Sequence, residues 1–261
     1  MPISSRGFFA CLSFFILFGG SLAADKIYVL KYGESRYRTA LVNSLSREKS
    51  VRLNWLIYLI ETGSPVQYTL IDTGFSDPHE QKRFGVQRYR SLQALLKETG
   101  ITPGQVRKVF LTHSHFDHAG NAPMLQNSTF YLAAGEYAQL ADQSIVAFLR
   151  QKQQAGGLIT LQGMQNQIDE WRVTLTAGHT PGSQVIRLKL NGKDYLFTGD
   201  ECYFADACRQ QIPLPKASAH SVSNNKAFLK TIGKHEIILT GHETNLTGGR
   251  WVSDAVYVIE P

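Results

Sequence analysis

The chain is poor in cysteine. Its 261 residues contain only Cys11, Cys202 and Cys208, too few for a small fold stapled by many disulfides. It has no internal repeat and no low-complexity tract, which excludes solenoids and disordered linkers. It also lacks an apolar run long enough to cross a bilayer, for which about 20 residues are needed. The longest such run is Phe8–Phe18. Basic charge exists without a platform. The net charge is +6 and the sequence pI is near 9.2, yet the lysines and arginines are scattered, with local clusters only at Lys82–Arg83 and Arg88–Arg90. No aromatic–basic surface for nucleic acid emerges, and the charge reads as a solvated face. What remains is ordinary for a globular protein, with 43% hydrophobic and 18% charged residues.

The first residues carry an address. Arg6 precedes the apolar run FFACLSFFILF, and GGSLAA follows. Ser21 and Ala23 satisfy the small-x-small rule for cleavage after Ala23. Residues 1–23 therefore read as a secretory signal peptide, and 24–261 as the exported domain, periplasmic or secreted and without a stable membrane anchor. Cleavage removes Arg6 and Cys11, so 26 basic residues face 21 acidic ones and the net charge falls to +5. No lipid-attachment pattern precedes the small residues, because Cys11 sits inside the apolar run. Cys202 and Cys208 remain in an oxidising compartment, where they either close a short disulfide loop or stand as two buried thiols.

Runs rich in β-branched and aromatic residues, bounded by Gly, Pro, Asn or Asp, predict strands at 26–30, 53–61, 66–72, 106–112, 128–133, 171–176, 184–190, 193–199, 235–241 and 255–260. ETGSP (61–65) and NGK (191–193) predict hairpin turns. Helical periodicity covers 91–99, 135–154 and 223–232, each ended by glycine. Segments 31–50 and 76–90 are polar and basic and read as long loops. Strands and helices mixed along one region predict a layered α/β (α+β) domain.

LTHSHFDHAG, residues 111–120, places three histidines and an aspartate within six positions. His113 and His115, two apart in an extended segment, point to one side and can grip one metal. Asp117 and His118 are adjacent, and as the chain turns they suit a second metal beside the first. Gly120 allows a sharp exit. Three later segments offer further ligands: His179 in AGHTPGS, Asp200 in FTGDE and His242 in LTGHE. Each follows an apolar strand and sits beside a glycine. Five of the eight histidines fall in these segments. His79, His220 and His235 lack ligand spacing and read as ordinary surface or core residues.

HSHFDH resembles the HxHxDH motif of the metallo-β-lactamase superfamily. His179, Asp200 and His242 match that family's later histidine, acidic bridge and last histidine in order, and IDTG (71–74) matches its early Asp-Thr-Gly turn. The resemblance covers most of residues 53–243. It implies a four-layer αββα sandwich with two divalent metal ions on one edge, zinc being the expected metal. By the same resemblance, His113, His115 and His179 hold the first metal, and Asp117, His118 and His242 hold the second. Asp200 bridges them, and Asp72 orients ligand histidines from behind.

A dinuclear site makes hydrolysis the default reaction. β-Lactam-hydrolysing members generally carry cysteine or serine where Asp200 stands. An aspartate there resembles the thioesterase, lactonase and phosphodiesterase branches. Tyr203, three residues beyond the bridge, resembles the tyrosine of N-acyl homoserine lactonases that reaches the substrate carbonyl. The intervals of 61, 21 and 42 residues from His118 to His179, Asp200 and His242 in turn resemble that branch too. The sequence therefore implies a secreted hydrolase acting on a small-molecule ester or lactone. In that reading Tyr203 is an oxyanion donor and Asp117 passes a proton to the leaving group. The other readings are another hydrolase of this fold, acting on a thioester, phosphotriester or β-lactam, and a zinc-binding protein without catalysis. Native metal, oligomeric state and acyl-chain preference leave no mark in the sequence.

Overall fold

The computed structural model describes residues 25–140 and 142–261. The expected signal peptide lies outside these residues. Thirteen strands follow in chain order: β1 (Lys26–Arg38), β2 (Ser50–Thr62), β3 (Gln67–Ile71), β4 (Val106–Phe110), β5 (Thr129–Ala133), β6 (Leu158–Leu161), β7 (Gln165–Ile168), β8 (Trp171–Leu175), β9 (Gln184–Leu190), β10 (Lys193–Phe197), β11 (Ile237–Leu239), β12 (Arg250–Trp251) and β13 (Val256–Ile259). The helices are α1 (Pro78–Arg83), α2 (Leu92–Glu98), α3 (Phe116–Ala119), α4 (Ala134–Tyr137), α5 (Gln143–Gln154), α6 (Ala205–Arg209) and α7 (Val222–Leu229). An eight-stranded sheet runs β12-β13-β1-β2-β3-β4-β5-β6, and a five-stranded sheet runs β11-β10-β9-β8-β7.

Strand β2 explains the layering. Leu56, Tyr58 and Ile60 pack between the sheets against residues such as Trp171, Ile186 and Phe197. The alternate residues Trp55, Ile57 and Leu59 face the other way, into a core shared with Leu95 and Leu96 of α2 and with Phe148 and Leu149 of α5. A strand buried on both faces needs a cover on each side. On the far side, α7 contributes Phe228 and Leu229 to a third cluster with Val185 and Leu196. Helix, sheet, sheet, helix is the αββα order expected.

Several local expectations change. Segment 31–50 is not a loop throughout, because β1 continues to Arg38 and pairs with the start of β2 as far as Ser50. Its outer half reads as polar because it overhangs the core, and the register shifts between Lys31 and Gly33. Within 76–90 lies α1, capped by Asp77, whose carboxylate accepts from the His79 amide at 2.7 Å. The single helix expected over 135–154 is two, α4 and α5. Asp142 caps α5 by accepting from Ser144 and Ile145 amides. The edge strands β6, β7 and β12 are too short to stand out in the sequence, and β7 is mostly polar. The NGK turn is present, with Asn191 and Gly192 at φ of 47° and 79° joining β9 to β10. No helix among the described residues is long and apolar enough to cross a membrane.

Candidate metal centre

Strands β3 and β4 are parallel, as are β10 and β11. β8 is also parallel to β10, since both run antiparallel to β9. Within each sheet these C-terminal ends point the same way, and the ligand atoms that follow them meet at one edge of the sandwich. Asp72 follows β3, His113 follows β4, His179 follows β8, Asp200 follows β10 and His242 follows β11. Residues far apart in sequence arrive at one place because parallel strands end together.

Two groups of ligand atoms form there: His113, His115 and His179, and beside them Asp117, His118, Asp200 and His242. In the first, His115 Nδ1 lies 2.9 Å from His113 Nε2 and 3.1 Å from His179 Nε2. In the second, His118 Nε2 stands 3.3 Å from Asp117 Oδ2 and 3.2 Å from Asp200 Oδ1, and His242 Nε2 stands 3.2 Å from Asp200 Oδ1. Asp200 Oδ2 turns the other way, 3.6 Å from His179 Nε2. One carboxylate thus addresses both groups.

The remaining imidazole nitrogens show that these groups suit metal. His179 Nδ1 faces the Ser218 carbonyl at 2.8 Å, and His242 Nδ1 faces the Asn54 carbonyl at 3.0 Å. A carbonyl only accepts, so each Nδ1 carries a proton and each Nε2 is the nitrogen turned toward the ligand group. His118 Nδ1 donates to Asp72 Oδ2 at 2.7 Å. Thr112 Oγ1 also donates to that oxygen at 2.8 Å, which leaves the hydroxyl oxygen to accept from His113 Nδ1 at 3.2 Å. In the three-histidine group, imidazole nitrogens converging at 2.9 and 3.1 Å repel unless a cation sits among them. His118 Nε2 and Asp200 Oδ1 are buried without a hydrogen-bond partner among the described residues. Tetrahedral zinc–nitrogen bonds of about 2.0–2.1 Å would set ligand atoms about 3.3 Å apart, close to these separations. Nitrogen and carboxylate donors therefore fit divalent ions such as zinc, and Asp72 holds the His118 ring from behind.

Charge differs between the groups. Burial, then the positive neighbour His118, pull His113 well below the usual imidazole range. Burial and His179 lower His115. Burial pulls on His118 in the same sense, but Asp117, Asp72 and Asp200 outweigh it and hold His118 well above the ordinary value. His242 is raised likewise, burial being overcome by Asp200. Burial opposes ionisation of Asp200 and Asp117. His242 and His118 outweigh it and hold Asp200 well below the carboxylate range, and His118 does the same for Asp117, which is lowered.

Gly120 has the role of close approach rather than a special backbone angle. A Cβ there would strike the Phe116 carbonyl and lie 2.9 Å from Phe75 Cβ. Cys202 and Cys208 are joined in a disulfide, with Cα atoms 5.9 Å apart, and Tyr203 lies between them in sequence. The Tyr203 ring stacks on His242 and lines a cavity of about 560 Å³ over the metal-binding groups.

Sequence reasoning missed three buried glutamates. Glu201 accepts from the amides of Gly178 and His179 and from Thr176 and Ser183 hydroxyls, holding the loop that carries His179. Glu136 accepts from Ser114 and Gly182 amides, tying the two histidine loops together. Glu243 accepts from the Ala205, Thr244 and Asn245 amides. Adjacency to Asp200 and His242 was the available signal for Glu201 and Glu243. Glu136 had none, since a glutamate in a helical pattern reads as surface. The cavity wall was also missed: Tyr37, Leu41, Arg83 and Phe84 come from the two segments read as loops. His220, read as an ordinary residue, lines the cavity too, whereas His79 and His235 are exposed and outside it.

The chain belongs to the metallo-β-lactamase superfamily, whose family model matches residues 56–242. It is similar to the N-acyl homoserine lactonase AiiA of Bacillus thuringiensis subsp. kurstaki, 25% identical over 85% of this chain and 94% of that protein. Among solved structures it resembles a quorum-quenching N-acyl homoserine lactone lactonase, with a TM-score of 0.68 at 22% identity over 85% of this chain and 93% of the other. It also resembles AidC, a dizinc quorum-quenching lactonase, with a TM-score of 0.62 at 15% identity over 91% and 95% of the chains. Family and ligand groups together make this protein a metal-dependent hydrolase.

Proposed function

We propose that the protein opens a lactone ring, with an N-acyl homoserine lactone as the favoured substrate. The observation that carries this reading is the placement of Tyr203. Its ring lies flat against His242, its centroid is 6.4 Å from that of His179, and it faces the cavity beside Asp200. Burial first, and then the Asp200 carboxylate, raise the phenol well above its ordinary value. It therefore stays protonated and remains a hydrogen-bond donor where charge develops on a substrate carbonyl.

In this reading His113, His115 and His179 would hold one divalent ion and Asp117, His118 and His242 the other, with Asp200 offering an oxygen toward each group. Two such ions, zinc being our choice, supply Lewis acidity and a water-derived nucleophile at neutral pH. Asp117 takes the proton released as water attacks the lactone carbonyl. Tyr203 donates to the carbonyl oxygen as the new carbon–oxygen bond forms. When the ring carbon–oxygen bond breaks, Asp117 returns the proton to the leaving alkoxide, and the product is a hydroxy acid. Trp55, Phe84 and Phe116 give the cavity an apolar side suited to an acyl chain.

The proposal extends to the chain's address. Residues 1–23 direct export and 24–261 act as a single exported domain. The Cys202–Cys208 disulfide suits that compartment. Turnover of the zinc-loaded protein on a panel of an N-acyl homoserine lactone, a thioester, a phosphotriester and a β-lactam tests the reading. Lactone hydrolysis should lead the panel by at least tenfold in kcat/KM, and a different leader would overturn it.

A further inference from the structure

We infer that Asn43 is a positioning residue for Tyr203, a role that rests on the lactonase reading above. Asn43 belongs to no metal motif. It lies in the connection between β1 and β2, 160 residues from the tyrosine in sequence, and only 1% of it is exposed. Its side-chain oxygen accepts from the Tyr203 amide at 2.9 Å, and its nitrogen donates to the Ile212 carbonyl at 3.1 Å. Both halves of one buried amide are thus spent on the two sides of the segment 203–212. From the opposite side, Thr240 donates its hydroxyl proton to the Tyr203 carbonyl at 2.9 Å.

The geometry has a chemical purpose. Tyr203 is not in a regular strand or helix: it lies between the short turn ending at Glu201 and α6. No ladder of backbone bonds fixes its torsions. A donor aimed at a developing oxyanion must be held within a fraction of an ångström, because a displaced donor loses most of its advantage. Asn43 and Thr240 fix the peptide groups on either side of the tyrosine Cα. Val42, beside Asn43, packs in the same small cluster as Tyr203, Leu53 and Leu214. The connection is therefore seated by apolar packing, and Asn43 delivers its amide from a fixed base.

The test is a double-mutant cycle on the full zinc-loaded protein, with a short-chain N-acyl homoserine lactone as probe. Asn43→Ala should lower kcat about tenfold or more, with KM within about twofold and metal content unchanged, because the tyrosine acts mainly in the transition state. In a Tyr203→Phe background the same Asn43→Ala change should cost less than about twofold, since no hydroxyl remains to be aimed. Asn43→Asp keeps an acceptor for the Tyr203 amide and loses the donor to Ile212. It should retain more kcat than Asn43→Ala while melting lower than the unsubstituted protein. Equal losses from Asn43→Ala in both backgrounds would show that Asn43 serves the fold rather than the tyrosine. So would full activity of Asn43→Ala alone, or Asn43→Asp no better than Asn43→Ala. A Tyr203→Phe protein as active as its parent, or a parent without lactone turnover, would instead sink the lactonase reading, and this proposal with it.

Discussion

The Tyr203 ring lies almost parallel to the His242 imidazole, with centroids 5.1 Å apart and planes 14° apart. A phenol stacked on an imidazole of the ligand group is held through its ring, and in the proposed reading it acts through its hydroxyl. Tyr203→Phe separates the two. The ring and its stacking remain, and one donor is lost. Removing one preorganised donor typically costs about 10²–10³ in turnover. We expect kcat to fall within that range while KM, metal content and melting temperature barely move. A fall smaller than about threefold, equivalent to roughly 0.7 kcal/mol, would reduce Tyr203 to a packing residue.

Asp200 offers one oxygen to His118 and His242 and the other toward His179. Asp200→Ala should leave the first ion on three imidazoles and weaken the second, which loses an anionic ligand. Activity should drop by orders of magnitude with the fold largely kept. Elemental analysis decides: two metals per chain in an active Asp200→Ala protein would overturn the assignment.

The two groups should unload at different pH. In the metal-free protein His118 and His242 are raised, while His113 and His115 are lowered. A metal must displace protons from the raised pair, so affinity there falls as pH drops through their raised values. The lowered pair is already neutral near pH 6.5, the ordinary histidine value, and protons compete only below it. Acidification should therefore empty the Asp117–His118–His242 group first. The metal-free fold carries the opposite sign: the raised His118 adds stability that is complete below about 6.5 and is lost as pH rises through its folded value. Metal counted per chain after dialysis in steps from pH 8 to 5 checks the order. Loss of both ions together, or of the three-histidine ion first, would contradict it.

The Cys202–Cys208 loop is short, so its removal should cost modestly. The chain-entropy model gives about 2 kcal/mol for a loop this small. A Cys202→Ser, Cys208→Ser protein should melt a few degrees lower and show a larger relative loss in kcat than in metal content. Free thiols titrated in the unreduced, denatured chain would show that the bond does not form in the isolated protein.

The ligand positions were readable because each combines a rare residue type with a strand end and a glycine, and HxHxDH needs no distant information. The layered α/β class was readable from apolar runs such as that of β2, and the four-layer sandwich from the family resemblance. The cavity wall was not. Tyr37 sits in the overhanging half of β1, where no core enforces alternation and the sequence looks like loop. Glu136 was unreadable for the opposite reason. It sits in a helical pattern that suggests solvent, and only the folded chain shows that it is fully buried against the amides of Ser114 and Gly182. Asn43 lies in a polar stretch with no periodicity, and its partners stand 160 and 169 residues away.

The cavity is assembled from two unequal partners. Its floor is locked by buried carboxylates and by carbonyls that fix His179 and His242. Its outer wall comes from Tyr37, Leu41, Arg83, Phe84, Ala217 and His220, none of which offers a ligand atom. Even Ser218, whose neighbours form that wall, grips His179 through its main chain, so its side chain can vary without disturbing the ring. Choice of substrate and capacity for chemistry are therefore inherited separately. A lineage can exchange side chains along this wall and try new substrates while the ligand groups beneath stay intact.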